Sequence, residues 1–578
     1  MPTHRPPIMG THYMVASGHY LATLAGIRIL ERGGNAVDAG VAAGLCINVL
    51  QPDMTNVGGV APIILRSART GEVVTISGLG RWPKAATLEV VLARGGGDLP
   101  LGVLRSVTPA AIDAWLTALE RYGTKTLAQV AAPAMELAAD GFPVNRFLHD
   151  NLARAAEVIA RWTSTAAIFL PGGRVPEVGD VLVQRDLART LQRLAEAEGA
   201  AASKGDSREE AIRTARDLFY RGAIAREIVD FCRAEGGLLS LEDMAAFSVR
   251  VEPPVRATYR GHEVYGCGPW CQGPVALEAL NILEGYDLRA TGHLSAETLH
   301  LIIEALTAAF ADRHAYYGDP DFVQVPISGL LAKAYAAEWR RRMEPRRAWS
   351  EMPSPGDPWV HEGAPAVAGG ADAPAPKNGP IEPDTSYLCV IDAEGNAFSA
   401  TPSDGVLSTP VVPGLGLIIS SRGYQSWLDP HHPSCVAPGK RPRLTPSPGL
   451  VMRDGRVFLA YGTPGHDVQP QAMVQVLVNM LDFGMDPQEA IEAPRLATYN
   501  FPSTGHPHAY HPGLVRVESR VPEEVRGTLA AWGHKVEAWP AWMPSAGAVC
   551  AIRARWDRGR PLLVGGADPR RLAYAIGW

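Results

Sequence analysis

A peptide bond between an acid and a hydroxyl residue, Asp384-Thr385, stands at the head of the run Ser386-Tyr387-Leu388-Cys389-Val390-Ile391-Asp392. Tyr387 to Ile391 reads as a strand buried on both faces, and Asp392-Ala393-Glu394-Gly395-Asn396 as the turn into a second strand, Ala397 to Thr401. From Ser350 to Pro383 the chain is mostly Pro, Gly, Ala and acidic residues, a composition with too little apolar surface to order itself. A hydroxyl at the first position of a buried strand, preceded by such a tether, suits a nucleophile exposed by cutting the chain. The candidate metal ligands are weaker. Neither His262 with Cys267 and Cys271 nor His431-His432 with Cys435 has a second pair of ligands at zinc spacing, so no metal site is expected.

Helices and turns must position that hydroxyl. Tyr20 to Arg32 carries apolar residues at helical spacing and stops at Gly33-Gly34, after which Asn35 and Asp38 form a capping box for a helix over Ala36 to Val49. Val60 to Arg66 and Glu72 to Ser77 read as a hairpin about Thr70-Gly71. Thr108-Pro109 reads as N-cap and first residue of a helix ending at Gly123. Further helices are expected at 127–140, 147–163, 181–198, 208–235, 274–283, 295–316 and 471–483, one more starts at Ser240-Leu241, and strands are expected around Arg260-Gly261. Helices before the tether and strands after it suggest a layered α/β domain whose sheet is formed by the strands after Thr385.

At 578 residues the chain can bury a large core, and length alone would permit two to four domains. A net charge of -6, a pI near 6.3 and no basic stripe beyond the Arg340 to Arg347 cluster argue against a nucleic-acid partner. No apolar run reaches membrane-spanning length and the first residues lack a signal-like apolar segment, so a cytoplasmic protein without a membrane partner is expected. The seven cysteines form no paired framework, which suits reduced thiols. No repeat, phosphate loop or GxSxG elbow after a strand is present.

Several blocks in order over almost the whole chain resemble the γ-glutamyltransferase family of N-terminal nucleophile hydrolases. They include Gly33-Gly34-Asn35-Ala36-Val37-Asp38-Ala39, Ala138 to Pro143, His300 through Asp312-Arg313 to Gly318-Asp319-Pro320, and Asp384 to Asp392. Lys440-Arg441-Pro442, Gly462-Thr463-Pro464-Gly465, Ala493-Pro494-Arg495 and Gly566 to Arg570 complete the set. The resemblance implies a four-layer αββα fold, made as one precursor and cut between Asp384 and Thr385 into a large subunit, 1–384, and a small one, 385–578, without a cofactor. Thr385 would be nucleophile and, through its new α-amino group, its own base; Thr401 and Ser403 would neighbour it, and the Gly465 and His466 N–H groups would form the oxyanion hole. A homodimer of the processed unit is compatible with the sequence.

The residues that read a glutamyl group in glutathione-processing relatives are replaced. Leu79 stands at the position of their arginine, Ser420-Ser421-Arg422-Gly423-Tyr424-Gln425 brings Gln425 to the position of their amino-binding acid, and Leu444-Thr445 replaces a serine pair. Arg81, Arg422 and Arg443 remain as candidate carboxylate ligands. The pattern resembles the amidohydrolase branch, the oxamate amidohydrolases and acylases, more than the glutathione transpeptidases. The expected substrate is a small amide or N-acyl compound bearing a carboxylate; a γ-glutamyl hydrolase or transpeptidase and an uncleaved binding protein are the alternatives.

Overall fold

The Asn35 side chain accepts from the N–H groups of Val37 and Asp38, while the Asp38 carboxylate accepts from Asn35 N–H, so the expected capping box starts the helix Ala36–Leu50. Every residue of that helix is buried, and Gly40 lets it lie so close to the sheet that a Cβ there would overlap the Phe398 ring. This computed structural model describes residues 3–363, 385–557 and 560–578. Asp384 and the 364–384 part of the tether lie outside the described residues.

Two seven-stranded antiparallel sheets form the middle of the protein. One runs, in spatial order, Tyr574–Gly577, Tyr13–Ser17, Leu388–Asp392, Ala397–Ala400, Ile63–Arg66, Val73–Ile76 and Val251–Glu252. The other runs Ile8–Gly10, Arg560–Ala567, Cys550–Asp557, Arg456–Gly462, Gly449–Arg453, His262–Gly266 and Val255–Tyr259. Each sheet draws strands from both sides of Thr385. That corrects the expectation that the strands after Thr385 form the sheet, and it fits the joint construction implied by the resemblance.

The two-residue period of a strand explains why both sheets are covered on both faces. Leu388 and Val390 point into a core shared with the helices Tyr20–Glu31, Ala36–Leu50 and Ala111–Tyr122. Tyr387, Cys389 and Ile391 point the other way, into a core between the sheets with Leu450, Met452, Ala460 and Ile552. In the second sheet Val451, Leu459 and Tyr461 face a third core with the helices Gly273–Leu283, Ala296–Tyr316 and Gln469–Leu481. Helix, sheet, sheet and helix therefore stack as four layers, and the continuous apolar run of Tyr387 to Ile391 follows from its place in the middle.

Some local expectations shift. The helix after Thr108-Pro109 is Ala111–Tyr122 with Ala110 at its N-cap, because the Thr108 hydroxyl donates to the Arg81 carbonyl at 3.3 Å instead of capping. The expected 208–235 helix is two, Arg208–Tyr220 and Ala223–Ala234, broken where Gly222 packs on the Leu218 backbone. The 181–198 segment opens with a short strand, Val181–Leu182, before the helix Arg185–Ala202, and 147–163 becomes Arg146–Ile159 followed by Thr163–Phe169.

The described part of the tether, 350–363, is packed. Met352 and Trp359 are buried, Gly356 N–H donates to Asp312 at 2.9 Å, and Met352 N–H donates to the Tyr510 hydroxyl at 2.8 Å. Two apolar side chains and buried acceptors order a segment whose composition alone argued otherwise. Among the described residues no helix is long and apolar enough to cross a membrane.

Candidate active site

Thr385 lies three residues ahead of the strand Leu388–Asp392, and the antiparallel register that pairs Leu388 with Ala400 continues past the strand ends. Ser386 N–H donates to the Pro402 carbonyl at 2.9 Å, and the Thr385 and Ser403 hydroxyls meet at 2.8 Å. Ser403 is fixed in turn by backbone bonds in both directions with Val60, at 2.9 and 3.2 Å. By alternation Thr385, Tyr387, Thr401 and Ser403 share the face that looks toward the second sheet. There the strand Arg456–Gly462 ends against Tyr387, and a Cβ on Gly462 would fall inside the Tyr387 ring. Gly462→Ala is therefore expected to cost about 1–3 kcal/mol by overpacking and to slow processing, as seen in the urea midpoint and on a denaturing gel.

Arg422, wholly buried, donates to the Ser403 hydroxyl at 2.6 Å and to the Tyr424 hydroxyl at 3.1 Å, and its Nε lies 3.8 Å from the Asp404 carboxylate. Asp404 sits at a φ of 86° and accepts from the Ser420 hydroxyl, the Ser421 hydroxyl and the Ser421 N–H at 2.6, 2.6 and 2.9 Å. The charge beside Ser403 thus has a buried counter-charge. The Tyr424 hydroxyl accepts from Gln425 Nε2 at 3.2 Å. That amide also donates to the Thr445 hydroxyl at 3.0 Å, while Thr445 N–H donates back to Gln425 Oε1 at 3.2 Å. Gln425 Nε2 lies 3.5 Å from His466 Nε2. One polar chain therefore joins Thr385, Ser403, Arg422, Gln425, Thr445 and His466 through Tyr424.

The glycine turn closes on this chain. Gly465 has a φ of 130° and His466 a φ of 54°, a left-handed conformation that a side chain other than glycine adopts at a cost of order 1–3 kcal/mol. His466 Nδ1 is 3.1 Å from Asp467, which also pairs with the buried Arg313 guanidinium and accepts from Thr504 N–H at 2.8 Å. Burial alone would raise the Asp467 carboxyl, but Arg313, His466 and the Thr504 N–H outweigh it and hold it well below the usual carboxylate range. Gln272 donates to the carbonyls of Thr445 and His466 at 2.8 and 2.9 Å and accepts from Arg313 at 3.0 Å, which binds the two loops together.

Four expected residues stand outside the chain. Arg81 pairs with Asp321 at 3.5 Å and donates to the Gly439 carbonyl at 3.4 Å. Leu444 packs with Leu79, Val60, Trp270, Cys267 and Cys271 in a small apolar cluster. Thr401 is wholly buried and its hydroxyl has no hydrogen-bond partner among the described residues. Arg443, also wholly buried, donates Nη1 to the Arg313 carbonyl at 2.9 Å, while its Nε and Nη2 are unpaired among the described residues. Asp404, Tyr424, Asp467, Arg313 and Gln272 were not singled out from the sequence as site residues. The only signals for them were the Ser403-Asp404-Gly405 turn composition and the Ala311-Asp312-Arg313 block.

The chain matches the Gamma-glutamyltranspeptidase family over residues 22–578. It is 35% identical over 554 residues to the Acylase ACY 1 proenzyme of Pseudomonas sp. (strain SE83), covering 93% of this chain and 89% of the relative. It is 34% identical over 574 residues to the Glutathione hydrolase-like YwrD proenzyme of Bacillus subtilis (strain 168), covering 99% of both. The crystal structure of cephalosporin acylase from Bacillus halodurans superposes with a TM-score of 0.85 at 31% identity, covering 100% of this chain and 98% of that one. The chain belongs to the gamma-glutamyltranspeptidase family. Members of this family are autoprocessed N-terminal nucleophile amidohydrolases that work through an acyl-enzyme on a threonine, and this gamma-glutamyltranspeptidase relative stands nearer the acylases than the glutathione-specific transpeptidases.

Proposed function

We propose that the precursor cuts itself between Asp384 and Thr385, and that the product hydrolyses a small amide or N-acyl compound bearing a carboxylate, with water as acceptor. The observation that carries this is the Thr385 hydroxyl at the head of the central strand, 2.8 Å from a Ser403 hydroxyl that itself accepts from a buried guanidinium. In the precursor Thr385 Oγ adds to the Asp384 carbonyl, the acyl group moves from nitrogen to oxygen and so frees the α-amine, and water then cleaves the ester, releasing the Asp384 carboxylate and restoring the Thr385 hydroxyl. That amine, with a reference pKa of about 8, takes the hydroxyl proton as Oγ attacks the substrate and delivers it to the leaving nitrogen. Ser403 accepts from Arg422 and lies within hydrogen-bond reach of Thr385 Oγ, so its hydroxyl can donate to that oxygen. The Thr401 hydroxyl, on the same face and without a hydrogen-bond partner among the described residues, suits an ammonium group that exists only after the cut. The Gly465 and His466 N–H groups are assigned to the oxyanion.

Substrate class follows from what is missing. Leu79 and Leu444 are packed into hydrocarbon, and Gln425 is engaged by Thr445 and Tyr424, so the ionic pair that would read an amino acid's two charges is not assembled here. Arg443, with Nε and Nη2 unpaired among the described residues, is the guanidinium that suits a lone carboxylate, and the acylases among the relatives agree with an N-acyl substrate. A cytoplasmic setting fits seven buried, unpaired cysteines. The test compares glutaryl-p-nitroanilide with γ-glutamyl-p-nitroanilide, the latter with and without a dipeptide acceptor, on the processed protein. Faster release from the glutaryl compound, unchanged by acceptor, is expected. Preference for the γ-glutamyl compound with acceptor stimulation would replace this substrate class by that of a γ-glutamyl transpeptidase; the similarity to the Glutathione hydrolase-like YwrD proenzyme speaks for a glutathione-like substrate.

A further inference from the structure

The helix Ala296–Tyr316 carries His300 and Glu304 four residues apart, hence on one face, and the turn ahead of the strand Lys535–Trp539 brings His534 against them. One donor atom from each of the three lies within 4.8 Å of the others, and among the described residues no other set of His, Cys, Asp and Glu gathers in this way. All three are buried, at 2%, 1% and 5% exposure. The cysteine sets considered from the sequence do not assemble; Cys267 and Cys271 belong to the apolar cluster beside Leu79.

Hydrogen-bond chemistry fixes which lone pairs face inward. His300 Nε2 lies 3.0 Å from the Glu344 carbonyl, which only accepts, so Nε2 carries the proton and Nδ1 is bare. That bare Nδ1 is 2.9 Å from His534 Nε2, an approach of two imidazole nitrogens that requires a proton or a cation between them. Glu304 completes the triangle. Among the described residues its hydrogen bond comes from Trp349 N–H at 3.2 Å, and no Lys or Arg pairs with it, so a negative charge here would have no protein cation beside it. An imidazole held by a backbone carbonyl through its outer N–H, with its inner nitrogen turned on a second imidazole and a buried carboxylate, is the usual surrounding of a metal-binding histidine.

We propose that His300, Glu304 and His534 bind one divalent transition-metal ion, with zinc the best match to two imidazoles and a carboxylate. Binding replaces the proton between the two rings: His534 releases Nε2–H and carries its proton on Nδ1, and Glu304 binds as the anion. The ion joins three stretches of chain, since Glu344 and Trp349 contact the ligands and Ala348 N–H donates to the Trp532 carbonyl at 2.7 Å. His300 and Glu304 precede Thr385 and His534 follows it, so the ion would clip the large subunit to the small one. The clip rests on the cut proposed above, whereas metal binding does not.

Full-length processed protein, stripped with chelator and dialysed, is titrated with Zn²⁺ by calorimetry. One ion per chain is expected, with Kd weakened at least about 100-fold in Glu304→Gln and in His534→Gln. No binding by the wild-type chain, or unchanged binding in both variants, overturns the proposal. Should either variant fail to fold, pulsed electron paramagnetic resonance of the Cu²⁺-loaded wild type decides: two coupled imidazole nitrogens support the site and none overturns it. The clip is read separately, as faster separation of the two subunits in mild urea after chelation. If the chain binds zinc but is never cut, the metal site stands and the cleavage proposal falls.

Discussion

Thr385→Ala is expected to yield a single chain of 61.8 kDa on a denaturing gel, with no smaller band beginning at residue 385 after prolonged incubation. Amide hydrolysis should fall by roughly 10⁴ to 10⁶, the scale seen when a nucleophile that works as a unit with its base is removed. Both losses would have one origin, because in the proposed chemistry the same Oγ attacks the Asp384 carbonyl in the precursor and the substrate carbonyl afterwards. Thr385→Ser keeps the oxygen and should keep both activities, and N-terminal sequencing of its small subunit checks the position of the cut. A Thr385→Ala chain that is still cut before residue 385 would remove Thr385 from the processing chemistry.

Arg422→Met is expected to be the next most damaging change. The guanidinium is wholly buried beside an equally buried Asp404, and removing one partner of such a pair costs about 3–5 kcal/mol because the other charge is left uncompensated. The substitution also removes the donor to Ser403 and the donor to Tyr424. Thermal melting should therefore fall markedly, and at permissive temperature the precursor should be cut slowly. Arg422→Lys preserves the charge but has no planar fork to reach Ser403 and Tyr424 together, so it should recover stability more than processing. Wild-type processing and turnover in a folded Arg422→Met protein would show that the guanidinium takes no part in the reaction.

Local chemistry was the most legible part of this sequence. The Asn35 and Asp38 cap, the burial of Tyr387 to Ile391 and the turn at Arg260-Gly261 depend on neighbours a few residues away, and the structure has each of them. Strand partners were not legible in the same way. Ile8 pairs with Gly565 and Tyr13–Ser17 lies beside Leu388–Asp392, pairings across hundreds of residues that no local period encodes. The site divides along the same line. Ser403 came from the resemblance and Arg422, Gln425 and Thr445 from the stretches that depart from it, and all four meet in space, whereas Arg81, near the position of the relatives' arginine, is drawn to Asp321, a partner supplied by tertiary folding. Nothing in the sequence gives Asp404, Tyr424 or Arg313 a place in the site, because a buried polar residue looks in sequence like any exposed one; only its partners distinguish it.

The strand beginning at Leu388 is bonded on one side to Tyr13–Ser17 and on the other to Ala397–Ala400, and Ser386 N–H is already committed to Pro402. A freshly made chain end ordinarily frays. Here the end that the proposed cut would create ahead of Thr385 would inherit two neighbours that hold the next residues in place, so breaking the peptide bond would add almost no freedom at the proposed nucleophile. The hydroxyl and the amine gained would be confined to one small volume before any substrate arrives, which amounts to a high effective concentration of base beside nucleophile. Amide hydrogen exchange across 387–391 should accordingly be as slow in the cut protein as in the uncut Thr385→Ala chain.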